Sequence, residues 1–160
     1  ASKIILPGVG HFGQIMRALD EMDVRGAFTE RIRAGVPFLG ICLGLHALFE
    51  SSEEAPGVRG LGLYAGLVRR FPPDARVPHM GWNTLDAVKP SRLLAGVGPS
   101  PWVYFAHSYY APVVAATAAT CTYTAPYTAL LEDGGTFGVQ FHPEKSGPVG
   151  LAIVKNFVEL

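Results

Sequence analysis

Val36-Pro37-Phe38-Leu39-Gly40-Ile41-Cys42-Leu43-Gly44 is the stretch from which the fold can be read. Val36 to Ile41 is apolar enough for a short buried strand, and it runs straight into Cys42 and a helical stretch predicted as far as Glu50. Toward the N-terminus, Lys3 to Leu6 reads as another buried strand, closed by the breaker run Pro7-Gly8-Val9-Gly10. Between the two, Ile15, Met16 and Leu19 recur at helical spacing from Phe12 onward. After a break near Asp23, Val24, Phe28 and Ile32 continue that spacing until Gly35 supplies a stop. Two strands separated by helix make a βαβ unit, which implies a parallel sheet.

Beyond Glu50 the chain changes character. Leu61 to Phe71 reads as extended, Pro72-Pro73 breaks it, and Pro78-His79-Met80-Gly81-Trp82-Asn83 reads as a loop. Trp102–Tyr110, Ala116–Thr124, Tyr127–Glu132 and Thr136–Phe141 are predicted strands, with a hairpin turn at Asp133-Gly134-Gly135. This is a meander more than a βα alternation. Leu151, Val154, Phe157 and Val158 give a terminal helix over Gly150–Leu160 that packs on the sheet. With no repeat and no linker, residues 1–160 read as a single α/β domain. Its expected architecture is a mostly parallel open sheet flanked by helices, with additional antiparallel strands.

Composition narrows the function classes. Hydrophobic residues make up 49% and charged ones 16%, which suits a well-covered sheet. Lys+Arg and Asp+Glu are equal at 13 each, so overall charge draws the chain to neither nucleic acid nor an acidic membrane. No apolar run reaches the ~18 residues of a membrane span. Cys42 and Cys121 are too few for a disulfide framework, which favours a reducing, cytoplasmic setting.

Gly40-Ile41-Cys42-Leu43-Gly44 is G-x-C-x-G at a strand-to-helix junction, the setting of a nucleophile elbow. The turn presses the residues on either side together, and glycines relieve the clash. A helix starting behind the sulfur would favour its thiolate. A buried structural cysteine between packing glycines satisfies the same letters. Cys121, in a strand-like run without such flanks, reads as structural. A thiolate attacking an acyl carbon needs a proton acceptor and donor, the usual role of histidine at neutral pH. His142 follows the strand-like Gly138-Val139-Gln140-Phe141, and in an extended segment Glu144 would share its side. Taken alone, a histidine in such a place is more often structural.

Together, Gly40-Ile41-Cys42-Leu43-Gly44 and Gly138-Val139-Gln140-Phe141-His142-Pro143-Glu144 resemble the class I (triad-type) glutamine amidotransferases. Leu6-Pro7-Gly8-Val9-Gly10, Pro78–Asn83 and His107-Ser108-Tyr109 narrow the resemblance to the branch of glutaminase subunits of imidazole glycerol phosphate synthases. The resemblance implies that Cys42 attacks the glutamine carboxamide, with His142 as acid and base and Glu144 orienting it. Backbone N–H groups of Leu43 and of Gly8, Val9 and Gly10 would meet the oxyanion. Ser108 and Tyr109 would hold the backbone end of the substrate. Pro78, His79, Met80, Gly81, Trp82 and Asn83, with Tyr104, would face a (β/α)8-barrel cyclase in a heterodimer that consumes the ammonia in histidine biosynthesis. Without the resemblance, Trp82 is as readily a core residue. No cofactor and no metal are expected, and neither nucleic acid nor a membrane is an expected partner.

Two departures from the pattern matter. Relatives commonly carry Met-Gln where this chain has Leu45-His46, so a substrate contact is assigned to His46 as a hydrogen-bond donor. The family also opens with a strand-helix-strand ahead of the oxyanion segment, and this chain begins at the strand that feeds it. The expectation is therefore an N-terminally incomplete domain. Two further readings stand beside the synthase subunit: a glutaminase serving another ammonia-using synthase, and a non-catalytic binding subunit.

Overall fold

Ile4–Leu6 (β1) and Phe38–Ile41 (β2) pair in parallel in the computed structural model, which describes residues 1–160. On its other side β2 pairs in parallel with Thr136–Val139 (β11). From β11 the sheet continues antiparallel through Ala125–Asp133 (β10), Thr117–Tyr123 (β9) and Asp86–Ala87 (β6). The result is an open six-stranded sheet in the order β1-β2-β11-β10-β9-β6. The α/β class, flanking helices and antiparallel additions are as expected; this sheet is mixed, its parallel pairings being β1-β2 and β2-β11 and its other three antiparallel. Asp133 pairs with Thr136, so Gly134-Gly135 is a two-residue hairpin loop, as the sequence predicts.

Helices cover both faces because successive strand residues point opposite ways. Phe38 packs with Ile32 and Phe28 of Arg25–Arg33 (α2), while Phe12, Met16 and Leu19 of Phe12–Glu21 (α1) pack with Leu43 and Ala47. Leu39, the neighbour of Phe38, joins the larger core with Ile153 and Phe157 of Gly147–Val158 (α4). Asp23, with φ 53°, makes the expected break between α1 and α2.

Three expectations require correction. The helix after Cys42 stops at one turn, Leu43–His46 (α3), and Phe49–Ser52 is a strand (β3) beside Tyr64–Arg70 (β4). Ala47, Leu48 and Phe49 are all fully buried, and an apolar run buried on every side carries no period to separate helix from strand. Backbone bonds from Leu61 to Ala47 and from Leu63 to Leu48 decide for extension. Secondly, Pro78–Asn83 is not a loop. His79–Thr84 is a strand (β5), antiparallel to Trp102–His107 (β7) over its whole length. Its proline sits just ahead of the strand, where a missing N–H is tolerated. Thirdly, the terminal helix buries Gly150, Ile153 and Phe157 and leaves Leu151 and Val158 exposed. A Cβ on Gly150 would lie 1.9 Å from the carbonyl oxygen of Pro143, and this close approach fixes which face turns inward.

Candidate active site

The three parallel strands end at one edge of the sheet, and each delivers a part of the site there. After β1 comes Pro7–Gly10, after β2 comes Cys42, and after β11 come Gln140 and His142. Cys42 has φ 54° and ψ −105°, a strained conformation for a residue with a side chain. The flanking glycines make it possible. A Cβ on Gly40 would lie 2.4 Å from the Gly44 carbonyl oxygen, and one on Gly44 would lie 2.1 Å from that of Leu6. The elbow reading of these residues is thus matched by the backbone.

The electrostatics differ from the sequence expectation. With only one turn, α3 has little dipole to offer. Cys42 is buried, and that burial pushes its thiol up to about 11. The sulfur accepts a hydrogen bond from Nε2 of Gln140 at 3.5 Å, and His142 makes no hydrogen bond to it. His142 nonetheless lines the same cavity of about 420 Å³. Its Nδ1 lies 3.2 Å from Oε2 of Glu144, its N–H donates to the Tyr104 carbonyl at 2.9 Å, and its carbonyl accepts from Ser146 Oγ at 2.7 Å. Glu144 reaches the ring from a 3-10 turn over Pro143–Lys145, and not along an extended segment as predicted.

Val9, Gly10 and Leu43 line the cavity, and Gly8 lies behind them against Leu43. The Leu43 N–H points at the Gly8 carbonyl, 3.4 Å away, so that donor is engaged by its neighbour. Gly10 has φ 101°, which a residue with a Cβ rarely adopts, and Val9 is 81% exposed. Ser108 and Tyr109 line the cavity, as does His46, although His46 is 4% exposed and its Nε2 meets Gln140 Oε1 at 2.6 Å.

The residues expected to face a partner separate by strand alternation. Met80 and Trp82 on β5 point outward, 63% and 53% exposed. Tyr104, paired with Trp82 in register, holds its ring 6.0 Å from the indole. Trp102 extends this strip and was missed by the sequence reading. Pro78 is exposed at the cavity rim, and Gly81 has φ 127° on the strand. Asn83 bonds the Thr122 carbonyl at 3.3 Å. His79 needs correction: it is buried, stacked between Phe105 and Tyr123 at 4.9 and 4.0 Å, and presents no surface.

Sequence reasoning also missed Glu54, Arg70 and Gln140. Glu54 and Arg70 supply one carboxylate and one guanidinium to the cavity. Neither lies in a recognisable motif. Gln140 did carry a signal, as a polar side chain inside an apolar strand-like run, and it is fully buried.

Residues 2–160 match the family described as Glutamine amidotransferase class-I. The chain is 51% identical to the imidazole glycerol phosphate synthase subunit HisH of Deinococcus radiodurans, covering 98% of this chain and 75% of that protein. It is 47% identical to the subunit of the same name from Methanothermobacter thermautotrophicus, covering 100% of this chain and 80% of that one. A crystal structure of a glutamine amidotransferase superposes with a TM-score of 0.73 at 21% identity, over 99% of this chain and 78% of the other. The glutaminase domain of a Trypanosoma brucei CTPS with bound acivicin gives a TM-score of 0.65 at 18% identity, over 99% and 72%. The last two establish likeness of fold.

Proposed function

We propose, because this chain belongs to the class-I glutamine amidotransferase family, that its Cys42, His142 and Glu144 hydrolyse glutamine at the elbow. The chain is a glutaminase of the imidazole glycerol phosphate synthase branch, serving histidine biosynthesis. The observation that carries the residue assignment is the cavity itself. It brings Cys42 at a strained elbow together with His142, whose Nδ1 meets Glu144.

In this reading Cys42 Sγ attacks the side-chain carbonyl carbon of glutamine as its proton passes to His142. With its thiol raised by burial, the sulfur ionises by that transfer and not in advance. The tetrahedral oxyanion takes hydrogen bonds from Leu43 N–H and from an N–H of Gly8–Gly10. The Gly8 carbonyl now on Leu43 must turn away for this, and the glycines flanking Val9 give that segment its freedom. His142 protonates the departing ammonia, leaving a γ-glutamyl thioester. It then takes a proton from water, whose oxygen displaces the sulfur to give glutamate. Glu144 holds the imidazole throughout. Ser108 and Tyr109, with Glu54 for the α-ammonium and Arg70 for the α-carboxylate, receive the backbone end of the substrate.

Met80, Trp82, Trp102 and Tyr104 form the face for a (β/α)8-barrel cyclase in a heterodimer. That face is one hydrogen bond from the site, through the Tyr104 carbonyl on the His142 N–H. We assign residues 1–160 to one glutamine amidotransferase domain. Its setting is cytoplasmic, in keeping with free Cys42 and Cys121. No helix is long and apolar enough to cross a membrane.

Cys42→Ala tests the assignment. Glutamate release from glutamine disappears, while the assembled synthase still works with supplied ammonia. Undiminished glutamate release from the pure variant would overturn it.

A further inference from the structure

Beneath the nucleophile lies a polar pair that the hydrolysis scheme does not use. Gln140 is fully buried at the end of β11, with its backbone N–H on the Ala129 carbonyl at 2.9 Å. Its side-chain amide has two partners. Oε1 lies 2.6 Å from Nε2 of His46, and Nε2 lies 3.5 Å from the sulfur of Cys42. His46 comes from the helix that starts at the elbow, one turn beyond Cys42. A chain of side chains therefore runs from imidazole to amide to sulfur, with the amide fully buried and both ends at the cavity wall. A buried amide needs both ends satisfied, since an orphaned donor or acceptor there is costly.

We propose that Gln140 is the hydrogen-bond donor that stabilises the Cys42 thiolate, and that His46 is a positioning residue that sets the direction of its amide. The pair has two internally consistent settings. With the proton on His46 Nε2, the ring donates to Gln140 Oε1 and the amide N–H points at sulfur. With the proton on Nδ1, the amide reverses, its NH₂ donates to Nε2, and its oxygen faces sulfur. The first setting supports an anion on Cys42. The second accepts an S–H and opposes ionisation. Formation of the thiolate therefore selects the first, and the rearrangement of imidazole and amide is itself charge-neutral. A neutral imidazole is required, and burial holds His46 neutral by lowering its pKa to about 4. The hydrogen bond donated by the Gln140 amide works against the burial that raises the thiol. On this view His46 serves the nucleophile, and the substrate contact expected of it is displaced.

The inference rests on Cys42 being the nucleophile, but its test needs no turnover. Cys42 is alkylated with iodoacetamide across pH 6.5–10, and the Cys42 peptide is quantified by mass spectrometry. Cys121, buried in β9, serves as the internal reference. The other ionisable groups facing Cys42, namely Glu54, Arg70, His107, Tyr109 and His142 of the cavity with Glu144 and Tyr127 near it, are unchanged in every variant. Across this range, below the raised thiol, the rate follows the thiolate fraction, and Gln140→Leu and His46→Leu should each slow alkylation at every pH by about tenfold, the equivalent of about one pH unit. His46→Gln, which restores an N–H donor to Oε1, should stay within about twofold of the parent. If the leucine variants fold poorly, Gln140→Glu keeps the shape, places a carboxylate oxygen on sulfur, and should slow alkylation in the same way. In glutamine hydrolysis, His46→Leu should lower kcat and leave KM within about twofold. Coincident alkylation rates across the pH range in folded Gln140→Glu, His46→Leu and parent protein would overturn the proposal, as would a His46→Leu effect confined to KM. Failure of the nucleophile assignment is read separately, from glutamate release by Cys42→Ala.

Discussion

Lowering the pH from 7.5 to 5 protonates histidines in the unfolded chain before three of them can be protonated in the fold. His46 and His79 are each lowered by burial to about 4, and His107 is pushed well below its usual value, also by burial. All three are less than a tenth exposed. In the unfolded chain each titrates near ~6.5. The sign follows from which state binds more protons. Above pH 6.5 both states are neutral and these rings contribute nothing. Between 6.5 and 4 the unfolded chain gains protons and the fold does not, so stability falls as pH falls. Below about 4, His46 and His79 are charged in both states and their part of the loss is complete.

At pH 5 the loss comes to about 2 kcal/mol for each imidazole, hence about 6 kcal/mol for the three. That is comparable with the whole stability of an ordinary domain, about 5–15 kcal/mol. The chemistry suffers with it. His46 sits beneath Cys42, and His107 Nδ1 holds the Tyr109 carbonyl at 2.8 Å beside the substrate end of the cavity. Urea unfolding at pH 7.5, 6 and 5, followed by circular dichroism, measures the loss. His79→Phe should reduce it to about 4 kcal/mol. That variant keeps an aromatic ring between Phe105 and Tyr123, and leaves the Tyr127 hydroxyl 3.1 Å from His107 Nε2. Unfolding free energies equal within about 1 kcal/mol at pH 7.5 and 5 would refute the reasoning.

Other perturbations separate the parts of the molecule. Trp82→Ala should weaken cyclase binding by about 2 kcal/mol or more; since the indole is already 53% exposed, a sharp drop in the melting temperature with affinity intact would reverse the interface reading. Gly44→Ala drives a Cβ to 2.1 Å from the Leu6 carbonyl and should cost about 3 kcal/mol or more together with glutaminase activity. Gly26→Ala, inside α2 with nothing within 4 Å, should instead stabilise by about 0.5–1 kcal/mol, and paired thermal melts compare the two. Glu144→Gln should lower kcat by about fivefold or less, because the carboxylate is exposed and an amide oxygen can still accept from His142 Nδ1; a loss equal to that of His142→Ala in steady-state assays would contradict this.

The candidate catalytic edge was legible because its parts are local and its strands are parallel. Once Ile4–Leu6 and Phe38–Ile41 are joined by helix, both must end on the same side of the sheet, and whatever follows them meets there. β11 joins them in parallel and brings His142 to the same edge. The elbow needed only its two glycines to be recognised. What remained hidden depends on pairings that no short stretch encodes. Glu54 and Arg70 enter the cavity because β3 lies parallel to β4, with Ser52 opposite Val68, and a four-residue apolar strand resembles a buried helix. His79 was misplaced because Pro78 and Gly81 read as loop residues, when His79, Met80 and Trp82 already alternate inward and outward as β5 requires. Gln140 is the instructive miss. A glutamine among Val139, Phe141 and the glycine of an apolar strand end has nowhere wet to go, so its amide must be matched by other buried polar groups. Cys42 and His46, 98 and 94 residues earlier in the chain, are those groups. A polar side chain inside an apolar run thus signals an unseen partner, and here that partner is Cys42, the proposed nucleophile.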